Sequence, residues 1–333
     1  MSFHIMGTGS ALPARVVTNE DLSQFLDTSD EWIVERTGIR TRHVCVTEEL
    51  DELAAEAARA ALADAGVSAE ELDLIVGTTC SSEHTAPAVA CAVRQLVGAS
   101  CPAFDVNGAC AGFVYALDAA DGWFARGRAR RVLVVSAEKL SRCVDWTDRA
   151  TCVLFGDGAA AAVLGEGGDS PLYTNLTCQD DYQAITIPIG AGNSPFDEGL
   201  RARQEEPEQS PYLHQRGREV FKFAVTHIVS ELRLLSERTG VALSDVDHFV
   251  FHQANRRIID AGVERLGIDP AKVAITIDHA GNVSSACIPL SLDELSRAGR
   301  LRDGELVALF GFGAGLVTGA MLVRWQKGLG DGA

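Results

Sequence analysis

The chain has 333 residues, and 47% of them are hydrophobic, which is enough for a large buried core. Its formal net charge of −17 argues against nucleic acid and anionic membrane surfaces as partners. It shows neither a run of about 18 apolar residues nor a charged, apolar leader, so we expect a cytoplasmic protein without a membrane span. Its nine cysteines should then be reduced, and because none forms a CxxC pair, no metal site is predicted.

Apolar runs and helical patterns alternate along the first half of the chain. In chain order we predict a helix over 51–66, a strand over 72–79, a helix over 86–98, a strand over 130–137 and a strand or strand pair over 152–164. Such alternation favours an α/β layered fold. The low aromatic content of 6% suits helices packed closely on a sheet.

The second half repeats part of the first. Residues 65–76, AGVSAEELDLIV, resemble residues 239–250, TGVALSDVDHFV, at an offset of 174. LFGDGAA (154–160) likewise resembles LFGFGAG (309–315) at an offset of 155. We interpret these matches as an internal duplication whose copies differ in loop length.

The duplication predicts two similar halves, over residues 1–170 and 171–333. Between the repeated segments, residues 193–217 are polar and contain several prolines and glycines. This composition predicts an exposed, mobile loop.

A cysteine with small neighbours lies where a strand gives way to a helix, in FDVNGACAGF (104–113). The free N–H groups and positive dipole end of that helix would favour the thiolate of Cys110. Ala109, Ala111 and Gly112 would leave space for an acyl group and allow close approach of backbone. Cys110 is therefore a candidate nucleophile, although a free cysteine is more commonly a small buried hydrophobe.

Further candidate groups follow predicted strands. His252 comes directly after HFVF, at a strand end where α/β sheets commonly expose functional groups. Asn282 precedes a helix start rich in small residues, and the turn GFGAG (311–315) could present N–H groups to an anion. Each also has an ordinary interpretation, as a satisfied histidine, a capping or turn asparagine, and a tight β-turn. GTGSAL (7–12) resembles half of a dinucleotide-binding fingerprint but lacks its third glycine.

Together these segments resemble one family, the type III β-ketoacyl-acyl-carrier-protein synthases among the thiolase-like condensing enzymes. The resemblance covers nearly the whole chain and follows the family's order. The segments that carry it are GTGSALPARVVTN (7–19), TSDEWIVERTGIRTRH (28–43), FDVNGACAGF (104–113), DRATCVLFGDGAAAAVL (148–164), FHQANRRI (251–258) and HAGNVSSACIP (279–289). It implies a thiolase-like α/β fold, with duplicated halves packed as a five-layered αβαβα core, usually in a homodimer.

The resemblance also implies the reaction. Cys110 would take an acyl group from an acyl-CoA primer, which would then condense with malonyl-acyl-carrier-protein to give CO2 and a 3-oxoacyl-carrier-protein, the first condensation of type II fatty acid synthesis. The backbone N–H groups of Cys110 and Ala314 would form the oxyanion hole, and the family usually has glycine at the second position. His252 and Asn282 would donate hydrogen bonds to the enolate oxygen of the malonyl thioester. Acyl-CoA would be a substrate, with no permanently bound cofactor and no metal.

The substrate contacts carried over from the family involve aromatic and basic residues. Trp32 and Arg149 would stack on the CoA adenine, while Thr28, Arg36 and Asn255 would hold the nucleotide and the pantetheine arm.

The carrier protein is acidic, as this chain is, so docking requires a local basic cluster. The resemblance assigns this role to Arg256 and Arg257, together with Lys222 on a neighbouring predicted helix. Without the resemblance, these charges would be read as a solvated helix face.

The chain departs from the family pattern at two positions. Ala86 stands where a bulky aromatic residue often closes the primer pocket across the dimer, so we expect a pocket that admits branched or longer primers. Thr318 stands where the family usually has tryptophan, which could loosen packing near the floor of the site.

Three alternative functions are compatible with parts of the sequence. A starter-unit ketosynthase or acyltransferase of secondary metabolism would commonly alter His252 or Asn282, and both are present. A cysteine thioester hydrolase could use the same three residue types, but the repeat and the basic cluster argue against it. A non-enzymatic nucleotide-binding module rests only on GTGSAL.

Overall fold

The computed structural model describes residues 2–179, 181–188 and 211–327. Within these residues the strands are β1 (Phe3–Ala11), β2 (Arg15–Thr18), β3 (Thr41–Val44), β4 (Leu74–Thr78), β5 (Ala103–Asp105), β6 (Arg131–Lys139), β7 (Asp157–Glu166), β8 (Tyr173–Cys178), β9 (Ile185–Thr186), β10 (His214–Gln215), β11 (His248–Phe251), β12 (Leu306–Gly313) and β13 (Val317–Arg324). The helices are α1 (Asn19–Ser23), α2 (Asp30–Thr37), α3 (Leu50–Ala65), α4 (Val89–Val97), α5 (Gly112–Ala125), α6 (Gly217–Thr239), α7 (Arg256–Leu266), α8 (Ile277–Ala280) and α9 (Cys287–Arg297).

Two main sheets have the same strand order. The first runs β1-β7-β6-β4-β5, and the second runs β8-β13-β12-β11. In the first sheet β4 pairs parallel with both β6 and β5, and in the second sheet β11 pairs parallel with β12. The pairs β6–β7, β7–β1, β12–β13 and β13–β8 are antiparallel. A parallel bridge between Phe249 and Val273 extends the second sheet at the position that β5 takes in the first. The strand order and directions therefore correspond throughout, which supports the proposed duplication.

The predicted match between residues 65–76 and 239–250 has a structural counterpart. Each segment ends a helix at a left-handed glycine, Gly66 (φ 65°) or Gly240 (φ 72°). Each then passes through a short 3₁₀ turn into a parallel strand, β4 or β11. The glycine is required at both places because a left-handed helix end strains any residue with a Cβ atom.

The second proposed match is wrong. Residues 154–160 lead into β7, whereas residues 309–313 belong to β12, whose counterpart in the first sheet is β6. The two segments share glycines because each passes close to backbone of the other half, where there is no space for a Cβ atom. They do not occupy equivalent positions in the repeat.

The helices divide into a central layer and two outer layers. Helices α5 and α9 each contact both sheets, while α3 and α4 cover the outer face of the first sheet and α6 and α7 that of the second. The largest buried cluster joins residues of both sheets to α5 and α9. The αβαβα layering expected from the resemblance is therefore present.

The N-terminal glycines serve packing. Gly7 and Gly9 lie in β1, where a Cβ atom would come within 2.4 Å of the Ala65 nitrogen or 2.3 Å of the Ala61 nitrogen in α3. Only glycine lets this helix lie so close to the strand. The GTGSAL segment is thus a strand packed under a helix, and the nucleotide-binding interpretation of it is wrong.

Several boundaries differ from the predictions. Helix α4 begins at Val89 because the Asp105 carboxylate accepts hydrogen bonds from the N–H groups of Val89 (2.8 Å) and Ala90 (2.9 Å). Of the predicted mobile loop, residues 193–210 lie outside the described residues, whereas residues 214–215 form β10. Among the described helices, none combines the length and the apolar content that crossing a bilayer requires.

Candidate functional site

A cavity of about 820 Å³ lies where the two halves meet. Its lining includes Cys110, His252, Asn282 and Ala314, the four candidates that the sequence singled out for chemistry. Cys110 precedes α5, His252 follows β11, Asn282 follows α8 and Ala314 follows β12. The fold therefore brings one group from the first half together with three from the second.

Cys110 lies in the 3₁₀ turn Ala109–Ala111, directly before α5, as predicted. Strand β12 crosses this turn so closely that a Cβ atom at Gly313 would lie 2.6 Å from the Cys110 nitrogen, and one at Gly311 would lie 2.8 Å from Cα of Ala111. The two glycines of GFG are therefore required by close approach between the halves.

Of the two roles expected for the small neighbours of Cys110, close packing is the one that Ala111 and Gly112 have. Ala111 is fully buried under Gly311, and a Cβ atom at Gly112 would lie 2.0 Å from Oγ1 of Thr78. Their small size lets the β12 backbone pack on Ala111 and the Thr78 side chain pack on Gly112. The expectation that Ala111 and Gly112 make room for an acyl group is wrong.

Cys110 is half-buried, and desolvation of its thiol raises its pKa to about 12. A hydrogen bond from the Ser284 hydroxyl acts in the opposite direction, and the charge of Glu138 adds to the increase. Burial therefore outweighs the preference for the thiolate that the helix start predicts.

His252 continues from β11 and donates its backbone N–H to the Phe310 carbonyl at 2.8 Å. Its ring is 2% exposed and packs edge-on against Phe312, with 5.1 Å between ring centroids. Burial lowers its pKa to about 3, with a hydrogen bond to the Ser284 backbone acting the other way. The imidazole is therefore neutral at pH 7 and can donate one hydrogen bond.

Asn282 is fixed by its backbone and by its side-chain oxygen. Its N–H donates to the Leu154 carbonyl (2.9 Å), and its Oδ1 accepts the N–H of Ser284 (2.9 Å). With Oδ1 held in this way, the Nδ2 group is left as a donor. Neutral His252 and Asn282 together supply donors to the same cavity.

Ala314 lies in the tight turn that joins the antiparallel strands β12 and β13. In the described part of the chain, the non-glycine residues with positive φ are Ala109 and Ser284, so Ala314 has an ordinary backbone conformation. Alanine is thus accommodated without strain where glycine is usual, and its N–H is retained.

The residues assigned to CoA form a surface cluster outside the cavity lining. The guanidinium groups of Arg36 and Arg149 lie 4.8 Å and 5.1 Å from the Trp32 ring centroid. Asn255 donates from Nδ2 to the Arg36 carbonyl at 3.0 Å. Thr28 Oγ1 is buried and has no hydrogen-bond partner among the described residues.

The residues assigned to carrier docking lie on two neighbouring helices. Arg257 and Arg256 begin α7, which packs against α6, the helix of Lys222. Arg256 Nε is paired with Asp260 at 2.7 Å. Arg257 and Lys222 are exposed and form no ion pair within the described residues, so their charges can act on a partner.

The two departures from the family pattern lie in different surroundings. Ala86 is exposed, and its neighbours Thr85 and Pro87 line the cavity while Ala86 does not. Thr318 is fully buried in β13, and its Oγ1 lies 2.6 Å from Oγ1 of Thr177 on β8. Thr318 does not line the cavity of the described chain.

Sequence reasoning missed a polar network beside Cys110. Ser284, Cys80 and Glu138 link side chain to side chain from the nucleophile into the core. The available signals were weak: Ser284 follows Asn282 by two positions, and Cys80 is one of nine cysteines. All nine cysteines are free thiols in the structure. Within the described residues there is no group of three or more His, Cys, Asp or Glu side chains arranged to hold a metal.

Comparisons with known proteins identify one family. Two family profiles match, 3-oxoacyl-[acyl-carrier-protein (ACP)] synthase III over residues 104–179 and its C-terminal counterpart over residues 236–325. The β-ketoacyl-[acyl-carrier-protein] synthase III of Clostridium acetobutylicum is 41% identical over 98% of this chain and 99% of its own.

Solved structures show the same fold. The 3-oxoacyl-[acyl-carrier-protein] synthase III of Aquifex aeolicus superposes with a TM-score of 0.88 at 40% identity, covering 97% of this chain and 100% of that one. The priming β-ketosynthase of the R1128 polyketide pathway superposes with a TM-score of 0.89 at 34% identity, covering 97% and 96%. The fold is therefore thiolase-like, as expected.

The neutral state of His252 can be measured directly. We expect its ring nitrogens to show the neutral form from pH 8 down to pH 5 in 15N-histidine NMR spectra, because burial holds the pKa near 3. His279 is the internal control, since its hydrogen bond to Glu294, and its contact with Asp278, raise its pKa to about 9 and keep it charged at pH 7.5.

The His252→Gln and His279→Gln variants assign the two signals. The folded-state pKa of His252 lies below its ordinary value of 6.5, so its contribution to stability is present above pH 6.5 and is lost as the pH falls toward 3. A His252 signal that titrates between pH 6 and 7 would contradict this description of the site.

Proposed function

The chain belongs to the 3-oxoacyl-[acyl-carrier-protein] synthase III family, and we propose that it condenses an acyl-CoA primer with malonyl-acyl-carrier-protein. The products would be a 3-oxoacyl-carrier-protein, CO2 and CoA, as in the first condensation of type II fatty acid synthesis. The observation that carries the proposal is the convergence of Cys110, His252, Asn282 and the Ala314 turn on one cavity.

In the loading step, the Cys110 thiolate attacks the acyl-CoA thioester and the CoA thiolate leaves. Negative charge develops on the carbonyl oxygen of the tetrahedral intermediate. The N–H groups of Cys110 and Ala314 are the proposed donors to it. Gly313 supports this assignment, because a Cβ atom there would lie 2.6 Å from the Cys110 nitrogen and displace it.

In the condensing step, the malonyl group loses CO2 and its thioester becomes an enolate. A neutral imidazole at His252 and the Nδ2 group of Asn282 would each donate a hydrogen bond to the enolate oxygen. The enolate carbon then attacks the acyl group on Cys110, and the Cys110 thiolate is released. Donors fixed in a buried site stabilise this charge better than bulk water does.

We propose that the surface cluster holds the CoA nucleotide. Trp32 offers an aromatic face, and Arg36 and Arg149 already lie over it, so the residue types suit an adenine with phosphates. The unpaired buried hydroxyl of Thr28 is a further group for a ligand to satisfy. Arg256, Arg257 and Lys222 would contact the acidic carrier protein.

We further propose a cytoplasmic homodimer. Nine free thiols suit a reducing compartment. Ala86 is exposed beside the cavity opening, where a second copy could cover it. A role in starter-unit loading for a polyketide is the second candidate, since a priming ketosynthase is 34% identical; the curated relatives, such as that of C. acetobutylicum at 41%, favour fatty acid synthesis.

Separating the two half-reactions tests the chemistry. We expect labelled acetyl-CoA or isobutyryl-CoA to acylate Cys110, as read by mass spectrometry, and the label to pass to a 3-oxoacyl product when malonyl-carrier-protein is added. Asn282→Ala should keep loading but slow decarboxylation by about 10²- to 10³-fold, because one fixed donor to the developing charge is lost.

The Asn282→Asp variant is the matched control, since it keeps the side-chain volume and the acceptor for the Ser284 N–H but lacks the donor. It should lose decarboxylation as Asn282→Ala does. Release of free acid without a condensation product would indicate a hydrolase. Absence of label on Cys110 would exclude both enzymatic proposals.

The two substrate surfaces should separate kinetically. Trp32→Ala should raise the KM for acyl-CoA by about two- to thirtyfold through loss of stacking, with the KM for malonyl-carrier-protein unchanged. Arg257→Glu should do the reverse, raising the KM for the carrier substrate by about tenfold at low salt. Arg265→Glu, on the same helix but at its far end, is the control and should change neither value.

Primer choice should depend on position 86. We expect the enzyme to accept isobutyryl-CoA or hexanoyl-CoA. Ala86→Phe should lower kcat/KM for these primers relative to acetyl-CoA by about tenfold or more, because in the proposed homodimer an aromatic ring at this exposed position would close the primer pocket of the other copy. The exposed Ala298→Phe serves as the control. Strict preference of the unaltered enzyme for acetyl-CoA would refute this pocket.

A further inference from the structure

The hydroxyl group of Ser284 lies between two sulfur atoms. Its Oγ is 3.2 Å from Sγ of Cys110, in the orientation of a donor, and 3.3 Å from Sγ of Cys80. Ser284 is 1% exposed, so no bulk water competes for these contacts. A serine hydroxyl carries one proton, so the two sulfurs compete for it.

The second sulfur is anchored on a buried carboxylate. Sγ of Cys80 lies 3.4 Å and 3.5 Å from the two oxygens of Glu138, which is fully buried. Glu138 also accepts hydrogen bonds from the hydroxyls of Ser81 and Ser285, both at 2.6 Å. The Glu138 carboxylate is thus fixed in one orientation by several hydrogen-bond donors.

The protonation state of Cys80 determines which groups donate and which accept the hydrogen bonds of this network. Burial and the neighbouring Glu138 raise the pKa of the Cys80 thiol well above its ordinary value, so it keeps its proton at pH 7. The Cys80 thiol donates to the Glu138 carboxylate and not to the Ser284 hydroxyl, because a hydrogen bond to a charged acceptor is the stronger of the two. The Ser284 hydroxyl can then donate to Cys110, where it meets negative charge once the thiolate forms.

Backbone strain is concentrated at the same contact. Ser284 (φ 49°) and Ala109 (φ 47°), which precedes Cys110, are the non-glycine residues with positive φ in the described chain. Such a conformation costs on the order of 1 kcal/mol or more for a residue with a Cβ atom, and it persists where the surrounding structure imposes it. Here it aims the Ser284 side chain at the nucleophile.

From this geometry we propose that Ser284 is a catalytic residue of the loading step, donating a hydrogen bond to the Cys110 thiolate. We propose also that Cys80, whose sulfur packs 3.3 Å from the Ser284 hydroxyl without taking its proton, positions that hydroxyl. The proposal rests on the proposed acyl transfer. The sulfur electron pair forms the bond to the acyl carbon while the bond from that carbon to the CoA sulfur breaks, and Ser284 keeps its proton throughout. His252 and Asn282 retain their role in decarboxylation, because Ser284 holds Asn282 through its backbone N–H rather than its hydroxyl.

The other groups around Cys110 do not favour its thiolate, so the Ser284 hydroxyl is needed to stabilise it. The titratable groups that face Cys110 are Cys80 and Glu138 on the first-half side, and His252 and Cys287 on the second-half side. Neutral Cys80, His252 and Cys287 contribute no positive charge, and the Glu138 charge opposes thiolate formation. Among the described residues that contact Cys110, Ser284 is therefore the side chain that favours its charged form.

The test is the pH dependence of Cys110 alkylation by iodoacetamide, read on the peptide that contains Cys110. We expect Ser284→Ala to raise the apparent pKa by about one to two units, since a hydrogen bond to a charged group is lost. The nucleophilicity of a thiolate rises with its pKa and partly compensates for the smaller fraction of thiolate. The alkylation rate at pH 7 should therefore fall by about three- to tenfold. Acyl loading from acetyl-CoA should fall by a similar factor, while decarboxylation of malonyl-carrier-protein by the acylated enzyme stays unchanged.

Two further variants separate the hydroxyl from the backbone strain. Ser284→Gly relieves the positive φ but lacks the hydroxyl, so it should behave as Ser284→Ala does. Ser284→Thr keeps the hydroxyl, so it should restore most of the alkylation rate although its branched side chain lowers stability. Wild-type alkylation in Ser284→Ala, or an equal loss of loading and decarboxylation, would overturn the catalytic role.

The role of Cys80 is tested by a double-mutant cycle. Cys80→Ala should shift the alkylation profile in the same direction by a smaller amount, and adding it to Ser284→Ala should cause no further loss, because Cys80 acts through Ser284. Additive effects would overturn the positioning role. Alkylation needs neither CoA nor carrier protein, so this result stands apart from any failure of the proposed condensation.

Discussion

The close crossing of β12 over the turn that carries Cys110 is the contact on which the site depends. At Gly311 and Gly313 there is no space for a Cβ atom, since the neighbouring backbone lies 2.8 Å and 2.6 Å from where one would stand. The crossing brings β12 of the second half against Cys110, the proposed nucleophile, in the first half. It places the Ala314 turn next to Cys110 and brings β11, with His252 at its end, to the same side.

Burial is the second constraint, and it acts on each reactive group differently. It keeps the Cys110 thiol protonated by raising its pKa, and it keeps His252 neutral by lowering its pKa. A neutral histidine suits a hydrogen-bond donor to an enolate, so burial supports the condensing step. The same burial hinders the loading step, which needs a thiolate. Groups that favour negative charge on Cys110 therefore matter more here than in an exposed site.

The chemistry of the site was largely predictable from the sequence. Cys110 and His252 each follow a predicted strand, where α/β sheets commonly present functional groups, and Asn282 follows an apolar run. The two strands belong to different sheets, so the sequence marks each candidate but does not show that they meet. The match of 65–76 with 239–250 likewise reflects a real local equivalence, ending in a glycine that a left-handed helix end requires. The match of 154–160 with 309–315 did not identify equivalent positions in the two halves. Short glycine patterns recur wherever two backbones come close, so they do not by themselves indicate a repeat.

The sequence by itself indicated the layered fold, the candidate nucleophile and its candidate partners, since periodicity, strand ends and motif order are local properties of the chain. Only the tertiary structure decided that Gly7, Gly9 and Gly112 serve packing, that burial raises the pKa of Cys110, and that Ser284 and Cys80 lie beside the nucleophile. Cys80 and Ser284 are separated by 204 positions. Their contact depends on how the two halves meet, and no local pattern encodes a distance between side chains that far apart in the chain.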